Sequence, residues 1–95
     1  MISRSGDTLQ VEGAVTVNTV PALVGAIAEH LQAGANKIDF SGVAEVDSAA
    51  VALALEWQRQ AASRNLPLSL VNVPEAMKNL ANLYGVAALM EPEKA

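Results

Sequence analysis

Residues 37–60 read KIDFSGVAEVDSAAVALALEWQRQ, and this stretch decides the predicted fold. It opens with a short apolar strand (IDF), passes through a polar turn that Val43 and Val46 hold against the core, and enters a long apolar helix at Asp47 and Ser48. A strand that leads into a helix N-terminus brings unpaired backbone N–H groups, the positive end of the helix dipole and small polar side chains together at the surface. We therefore expect the functional site at this junction.

The segments on either side predict four further strands and two further helices. Gly6-Asp7 indicates a tight turn between two short strands, and Pro21 suits the first turn of a helix because its missing N–H costs nothing there. In chain order the predicted strands lie at 2–5, 8–13, 37–40, 68–71 and 86–90, and the predicted helices at 20–33, 48–64 and 75–83. The order β-β-α-β-α-β-α-β predicts an α/β (mixed α+β) domain in which the helices pack on one face of a mixed sheet.

Length and composition predict one small domain and exclude several kinds of function. The 95 residues suffice for a single domain, residues 1–95, and the absence of cysteine removes disulfides, a thiolate nucleophile and thiolate metal sites. The first residues lack the basic and apolar segments of a secretory signal, and the longest apolar run is far shorter than the ~20 residues that span a bilayer. We expect a cytoplasmic protein that does not insert into the membrane.

Charge favours a protein partner over nucleic acid. The formal net charge is −4, and the six basic residues are scattered along the chain, so neither nucleic acid nor an anionic membrane surface finds a basic patch. The glycines are dispersed and form no phosphate-binding loop, so no cofactor is expected.

Asp47 and Ser48 suit capping better than chemistry. Either residue is a good N-cap for the helix that follows. As a nucleophile Ser48 would need a general base, and the single histidine, His30, lies on the preceding helix between polar neighbours. Asp39, Glu45 and Asp47 are close in sequence, but Asp39 has a strand position unlike that of the loop carboxylates, and no second ligand cluster exists. We expect no catalytic residue and no metal site, and hence no enzyme.

The long helix has more apolar surface than one sheet requires. At ~100° per residue, the face predicted to meet the sheet contains Val51, Ala54, Leu55, Ala61 and Ala62. Leu53 and Trp57 lie with Ala50 on the flank of this face. Two interpretations stay open: these side chains pack under a neighbouring helix of the same domain, or they form a docking surface for another protein.

Three segments together resemble the STAS domain family, named for sulfate transporters and anti-sigma-factor antagonists. IDFSGVAEVDSAAVALAL resembles the family's signature segment, in which a strand ending in Asp-Phe-Ser is followed by Val-x-x-Val-Asp-Ser and an apolar helix. GDTLQVEGAVTVNTVPAL resembles the family's first strand and loop, and LPLSLVNVPEAMKNLANLYGV its final strand and helix. The resemblance covers nearly the whole chain and implies a STAS fold with a non-catalytic, protein-binding role.

Two branches of the family differ just after Ser48. In anti-sigma-factor antagonists the resemblance would place a phosphorylatable Ser or Thr, followed by Gly, where this chain has Ala49 and Ala50, so that a phosphate switch would have to use Ser48. The stand-alone STAS subunits of Mla phospholipid-transport ABC complexes are similar in length, in the GDTL opening, in the small residues after Asp47 and Ser48 and in the ANLYGV ending. That branch implies an accessory subunit that binds the cytoplasmic ATPase subunit and supports its assembly or activity, peripheral to the inner membrane.

The residues expected to contact this partner are Asp47, Ser48, Ala49, Ala50, Leu53 and Trp57. The same apolar flank would also allow a homodimer. The alternative function is an anti-sigma-factor antagonist regulated by phosphorylation of Ser48.

Overall fold

The computed structural model describes residues 2–85, which form a four-stranded sheet with helices on one face. The elements are β1 (Ile2–Ser5), β2 (Thr8–Val15), α1 (Val20–Leu23), α2 (Ile27–Gln32), β3 (Lys37–Val46), α3 (Ser48–Ser63), β4 (Ser69–Val71) and α4 (Glu75–Leu83). The strands lie in the order β1-β2-β3-β4; the first pair is antiparallel and the other two pairs are parallel. The predicted mixed α/β fold is thereby confirmed, while the predicted strand at 86–90 lies outside the described residues.

The core forms between one face of the sheet and the helices. Alternate strand residues point into it because successive side chains on a strand face opposite sides. The sheet contributes Leu9, Val11, Ile38, Phe40 and Leu70, and the helices contribute Ile27, Leu31, Leu53, Trp57 and Met77, all essentially inaccessible to solvent. The other face of the sheet carries polar side chains such as Ser3, Gln10 and Asp39, which are adjacent in the strand register. A polar face of this kind needs no second layer.

β3 is longer than the sequence predicts. It was expected to end at Phe40, with a turn at 41–42, but it pairs with β2 as far as Val46. The register between β3 and β2 shifts twice, and at each shift β3 has one residue more than β2. Each extra residue forms a β-bulge, so the residues that were predicted to form a turn remain within the strand. At Gly42 an added Cβ would lie 2.9 Å from Cγ of Glu12 on the paired strand, so a side chain here would force its surroundings to shift.

The predicted helix at 20–33 is interrupted. α1 and α2 are separated by a turn at 24–26 that contains Gly25. Glycine in a helix interior costs ~1 kcal/mol relative to alanine, and the backbone carbonyl of Val24 accepts a hydrogen bond from the Gln60 side chain of α3 at 3.3 Å. The break therefore lets a carbonyl in this turn bond to the neighbouring helix. α4 has the predicted bounds, and α3 is one residue shorter than predicted.

The buried face of α3 includes Val51, Ala54 and Ala61, as predicted, but it also extends onto the flank. The flank residues Leu53 and Trp57 are 2% and 0% exposed, and Ala50 is also buried, so this flank lies at the centre of the buried face. By contrast Leu55 is half-buried and Ala62 is exposed, although both were expected to face the sheet. Apolar residues cover more than half of the helix circumference, so periodicity alone does not select the buried side. Of the two interpretations left open, packing within the domain is correct.

Candidate functional site

One carboxylate joins the start of α3 to the loop that follows β2. Asp47 has an extended backbone (φ −135°, ψ −169°), and its Oδ1 accepts a hydrogen bond of 2.9 Å from the N–H of Ala49. Its Oδ2 accepts a second hydrogen bond, of 3.0 Å, from the N–H of Val17. Of the two capping candidates, Asp47 is therefore the N-cap, and it also fixes a loop thirty residues earlier in the chain.

The loop at 16–19 is held in place by its own threonines. The N–H of Thr16 donates to Oγ1 of Thr19 at 2.9 Å, and that hydroxyl donates to the carbonyl of Ala14 at 3.0 Å. The N–H of Asn18 donates to Oγ1 of Thr16 at 3.3 Å. These bonds fix a loop whose side chain at Val17 is 66% exposed. The sequence analysis places a loop before the helix at 20–33 but does not count it among the site residues.

The first turn of α3 places small side chains at the surface. Ser48 is exposed and Ala49 is half-buried. The N–H of Ala49 bonds to the Asp47 side chain, and the N–H of Ala50 bonds to the Asp47 carbonyl at 3.0 Å. Two of the N–H groups that a helix N-terminus offers to an anion are therefore already occupied. This end of the helix favours an uncharged partner over a phosphate group.

A shallow groove of ≈ 290 Å³ runs from Ser48 along α3. It is lined by Ser48, Val51, Ala52 and Leu55 of α3 and by Tyr84, which directly follows α4. Tyr84 is 56% exposed, and its neighbour Leu83 is 77% exposed. The end of α4 thus exposes two large side chains, of which Tyr84 lines the groove with Ser48. Tyr84 was not predicted as a site residue, although it is one of only three aromatic residues in the chain.

The structure divides the six predicted contact residues into two groups. Asp47, Ser48 and Ala49 lie together at the junction, with Ser48 the most accessible. The other three, Ala50, Leu53 and Trp57, are buried in the core, and a partner cannot reach them while the domain is folded. Their predicted place on a docking surface is wrong, because they are part of the buried core of the domain.

Asp39, at the start of β3, is engaged in structural hydrogen bonds. Asp39 accepts hydrogen bonds from the backbone N–H of Ser41 at 2.8 Å and from the side chain of Asn72 at 3.1 Å. The bond from Ser41 is the main reason that the pKa of Asp39 is below its usual range, and the bond from Asn72 adds to it. Asp39 thereby ties β3 to the end of β4.

Two further properties of the described chain bear on function. Within residues 2–85, no group of three or more His, Asp or Glu side chains is placed to hold a metal ion. The described helices include none with the length and apolar character needed to cross a bilayer.

Comparison with solved structures shows a known fold. The anti-sigma factor antagonist SpoIIAA in its unphosphorylated form has a TM-score of 0.70 and 17% sequence identity, and the match covers 99% of this chain and 87% of that one. The crystal structure of Mglu has a TM-score of 0.57 and 19% identity, over 79% of this chain and 19% of that one. At these identities the likeness shows the fold alone.

Sequence comparison identifies the family. No curated protein matches the chain. A family model described as "Mlab, STAS domain" matches residues 1–91, which is nearly the entire sequence. STAS families are generally non-enzymatic regulatory or accessory domains that act through protein–protein contacts. Together with the SpoIIAA-like fold, this match means that the chain belongs to the MlaB-like family of STAS domains.

Proposed function

We propose that this STAS domain is a non-catalytic accessory subunit that binds the cytoplasmic ATPase subunit of an Mla-type phospholipid ABC transporter and supports its assembly or activity. The observation that carries the proposal is the MlaB-type family match over residues 1–91. In this role the chain acts at the cytoplasmic side of the inner membrane, held there by its complex. The transporter it serves would maintain the lipid asymmetry of the outer membrane.

The geometry of the junction supports a docking role. Ser48 is exposed, and the small side chains of Ala49 and Ala52 let another protein approach the helix closely. Tyr84 lies across the groove from them, and tyrosine is among the residues that contribute most to binding at protein interfaces. Asp47 gives this surface a fixed shape, because its carboxylate accepts hydrogen bonds from both the helix and the neighbouring loop.

The test is binding of the purified ATPase subunit to the wild-type domain and to two variants, by pull-down and titration calorimetry. Ser48→Arg places a long charged side chain over the groove, and we expect it to abolish binding. Ser63→Arg is the matched control, because Ser63 is exposed at the opposite end of the same helix and its hydroxyl donates a hydrogen bond to the carbonyl of Gln60 in its own helix. Both variants should still unfold cooperatively.

Two outcomes would reject parts of the proposal. Wild-type affinity in Ser48→Arg would reject the site while leaving the partner in place. Absence of binding by the wild-type domain itself, with the ATPase subunit folded and active, would reject the partner.

A second candidate function is that of an anti-sigma-factor antagonist controlled by phosphorylation of Ser48. The exposed hydroxyl at a helix N-terminus favours it. The neighbouring carboxylate of Asp47 opposes it, because a phosphate group of about −1.5 to −2 charge would lie beside a negative group that already bonds to the N–H of Ala49. Intact-mass spectrometry after incubation with ATP and a cognate kinase decides this case, and an unmodified Ser48 counts against the switch.

A further inference from the structure

Val17 is exposed in a way that folding alone does not explain. Its side chain contributes little to the core, yet its backbone N–H is bound by Asp47, and Thr16 and Thr19 hold the rest of the loop. Single exposed apolar residues are common on protein surfaces. An apolar residue held rigidly beside a helix N-terminus is a less ordinary arrangement. It would favour binding, because a rigid side chain loses little conformational entropy when a partner covers it.

The residues that line the groove are uncharged. Two acidic residues lie close by: Asp47, whose carboxylate accepts hydrogen bonds from two backbone N–H groups, and Glu45, which is exposed two residues earlier. Across the whole chain 17% of the residues are charged, whereas, within residues 2–85, the groove of this surface is lined by no charged residue. Its uncharged members at the loop and the groove are Val17, Asn18, Ser48, Ala49, Ala52, Leu55 and Tyr84. The complementary partner surface is therefore apolar and uncharged, which fits a protein and does not fit an anionic headgroup or nucleic acid.

We propose that Val17 is an anchor residue that inserts into an apolar recess of the same ATPase subunit that contacts Ser48, a contact that rests on the function proposed above. Asp47 is a positioning residue in this contact. Because its two oxygens bond to the backbone of Val17 and of Ala49, it fixes the distance between the anchor and the first turn of α3. The partner therefore contacts the loop at 16–19 and the first turn of α3 as one connected surface.

The test is a double-mutant cycle on binding of the ATPase subunit, measured by titration calorimetry. Val17→Thr keeps the β-branched shape and replaces one methyl group by a hydroxyl, and we expect the Kd to rise about tenfold with no change in Tm. Asp47→Asn has one acceptor oxygen in place of two, so it cannot keep both bonds, and the Kd should rise about threefold to tenfold. In the double variant the effects should not multiply, because both act through Val17.

Each result has a distinct meaning. If Ser48→Arg abolishes binding but Val17→Thr binds like the wild type, the anchor is overturned and the proposed function stands. If the two effects multiply in full, the positioning role of Asp47 is overturned. If Val17→Thr changes only the self-association of the isolated domain in sedimentation, the contact belongs to a second copy, and the inference is overturned. If the wild-type domain does not bind, the proposed function fails and the anchor fails with it.

Discussion

Replacement of Asp47 by alanine tests how strongly one carboxylate couples the loop at 16–19 to α3. Asp47→Ala removes an N-cap hydrogen bond of 2.9 Å and the hydrogen bond of 3.0 Å to Val17. Loss of an N-cap costs ~1 kcal/mol, and loss of a further hydrogen bond to a partly exposed group costs ~1 kcal/mol. We expect the free energy of unfolding to fall by about 2 kcal/mol, which for a domain of this size lowers the Tm by roughly 8–16 °C.

The assay is urea denaturation combined with amide hydrogen exchange. Glu45→Ala is the control, because it removes an exposed carboxylate two residues away, and its effect should stay within about 0.5 kcal/mol. Exchange at the N–H groups of Val17 and Ala49 should accelerate together in Asp47→Ala. A stability loss below about 0.5 kcal/mol, or unchanged exchange at Val17, would refute the view that this carboxylate joins the two segments.

Three further predictions concern the buried Trp57, the close approach at Gly42 and the ion pair between Glu56 and Arg59. Trp57→Ala should lower the free energy of unfolding by about 3–5 kcal/mol in urea denaturation, because Trp57 is fully buried, and its fluorescence in the wild type should be blue-shifted and resist quenching by iodide. Gly42→Val should destabilise the domain in the same assay, since an added Cβ would lie 2.9 Å from Cγ of Glu12. The guanidinium of Arg59 is the main cause that lowers the pKa of Glu56 from 4.5 to about 2, and NMR titration should show that pKa returning toward 4.5 in Arg59→Gln. Because the folded pKa is below the unfolded one, this pair stabilises the domain above pH 4.5, and that contribution disappears as the pH falls toward 2.

These predictions also have contradicting outcomes. A tryptophan spectrum typical of an exposed indole would show that Trp57 is not in the core. A Gly42→Val variant as stable as the wild type would show that the bulged strand tolerates a side chain there. A Glu56 pKa near 4.5 in the wild-type domain would show that its ion pair with Arg59, 2.6 Å long in the structure, does not persist in solution.

The sequence predicted correctly those elements whose position depends on neighbouring residues in the chain. The hairpin around Gly6 and Asp7 and the bounds of α4 follow from turn chemistry and from apolar spacing, and the structure has both. The length of β3 could not be predicted in this way, because Ser41 and Gly42 have turn character and continue the strand only by bulging against β2. Bulges depend on the partner strand, which a single segment does not specify.

The site was predicted only in part for a similar reason. Asp47 and Ser48 are adjacent in sequence, and their place at a strand–helix junction was enough to single them out. The bond from Val17 to Asp47 joins residues thirty positions apart, and nothing in either segment alone indicates it. The full extent of the buried face of α3 was missed because Trp57 and Leu55 are both apolar, and only the tertiary packing shows which of them is buried.

The uncharged side chains that line the groove have a kinetic consequence. Opposite charges on two proteins accelerate their encounter and make its rate sensitive to salt, whereas association without such steering proceeds at about 10⁵–10⁶ M⁻¹s⁻¹. A complex formed through this surface would therefore assemble at that unassisted rate, and its association rate would change little with ionic strength. The lifetime of the complex, set by how well the apolar side chains fit, would then determine how long the subunit stays bound.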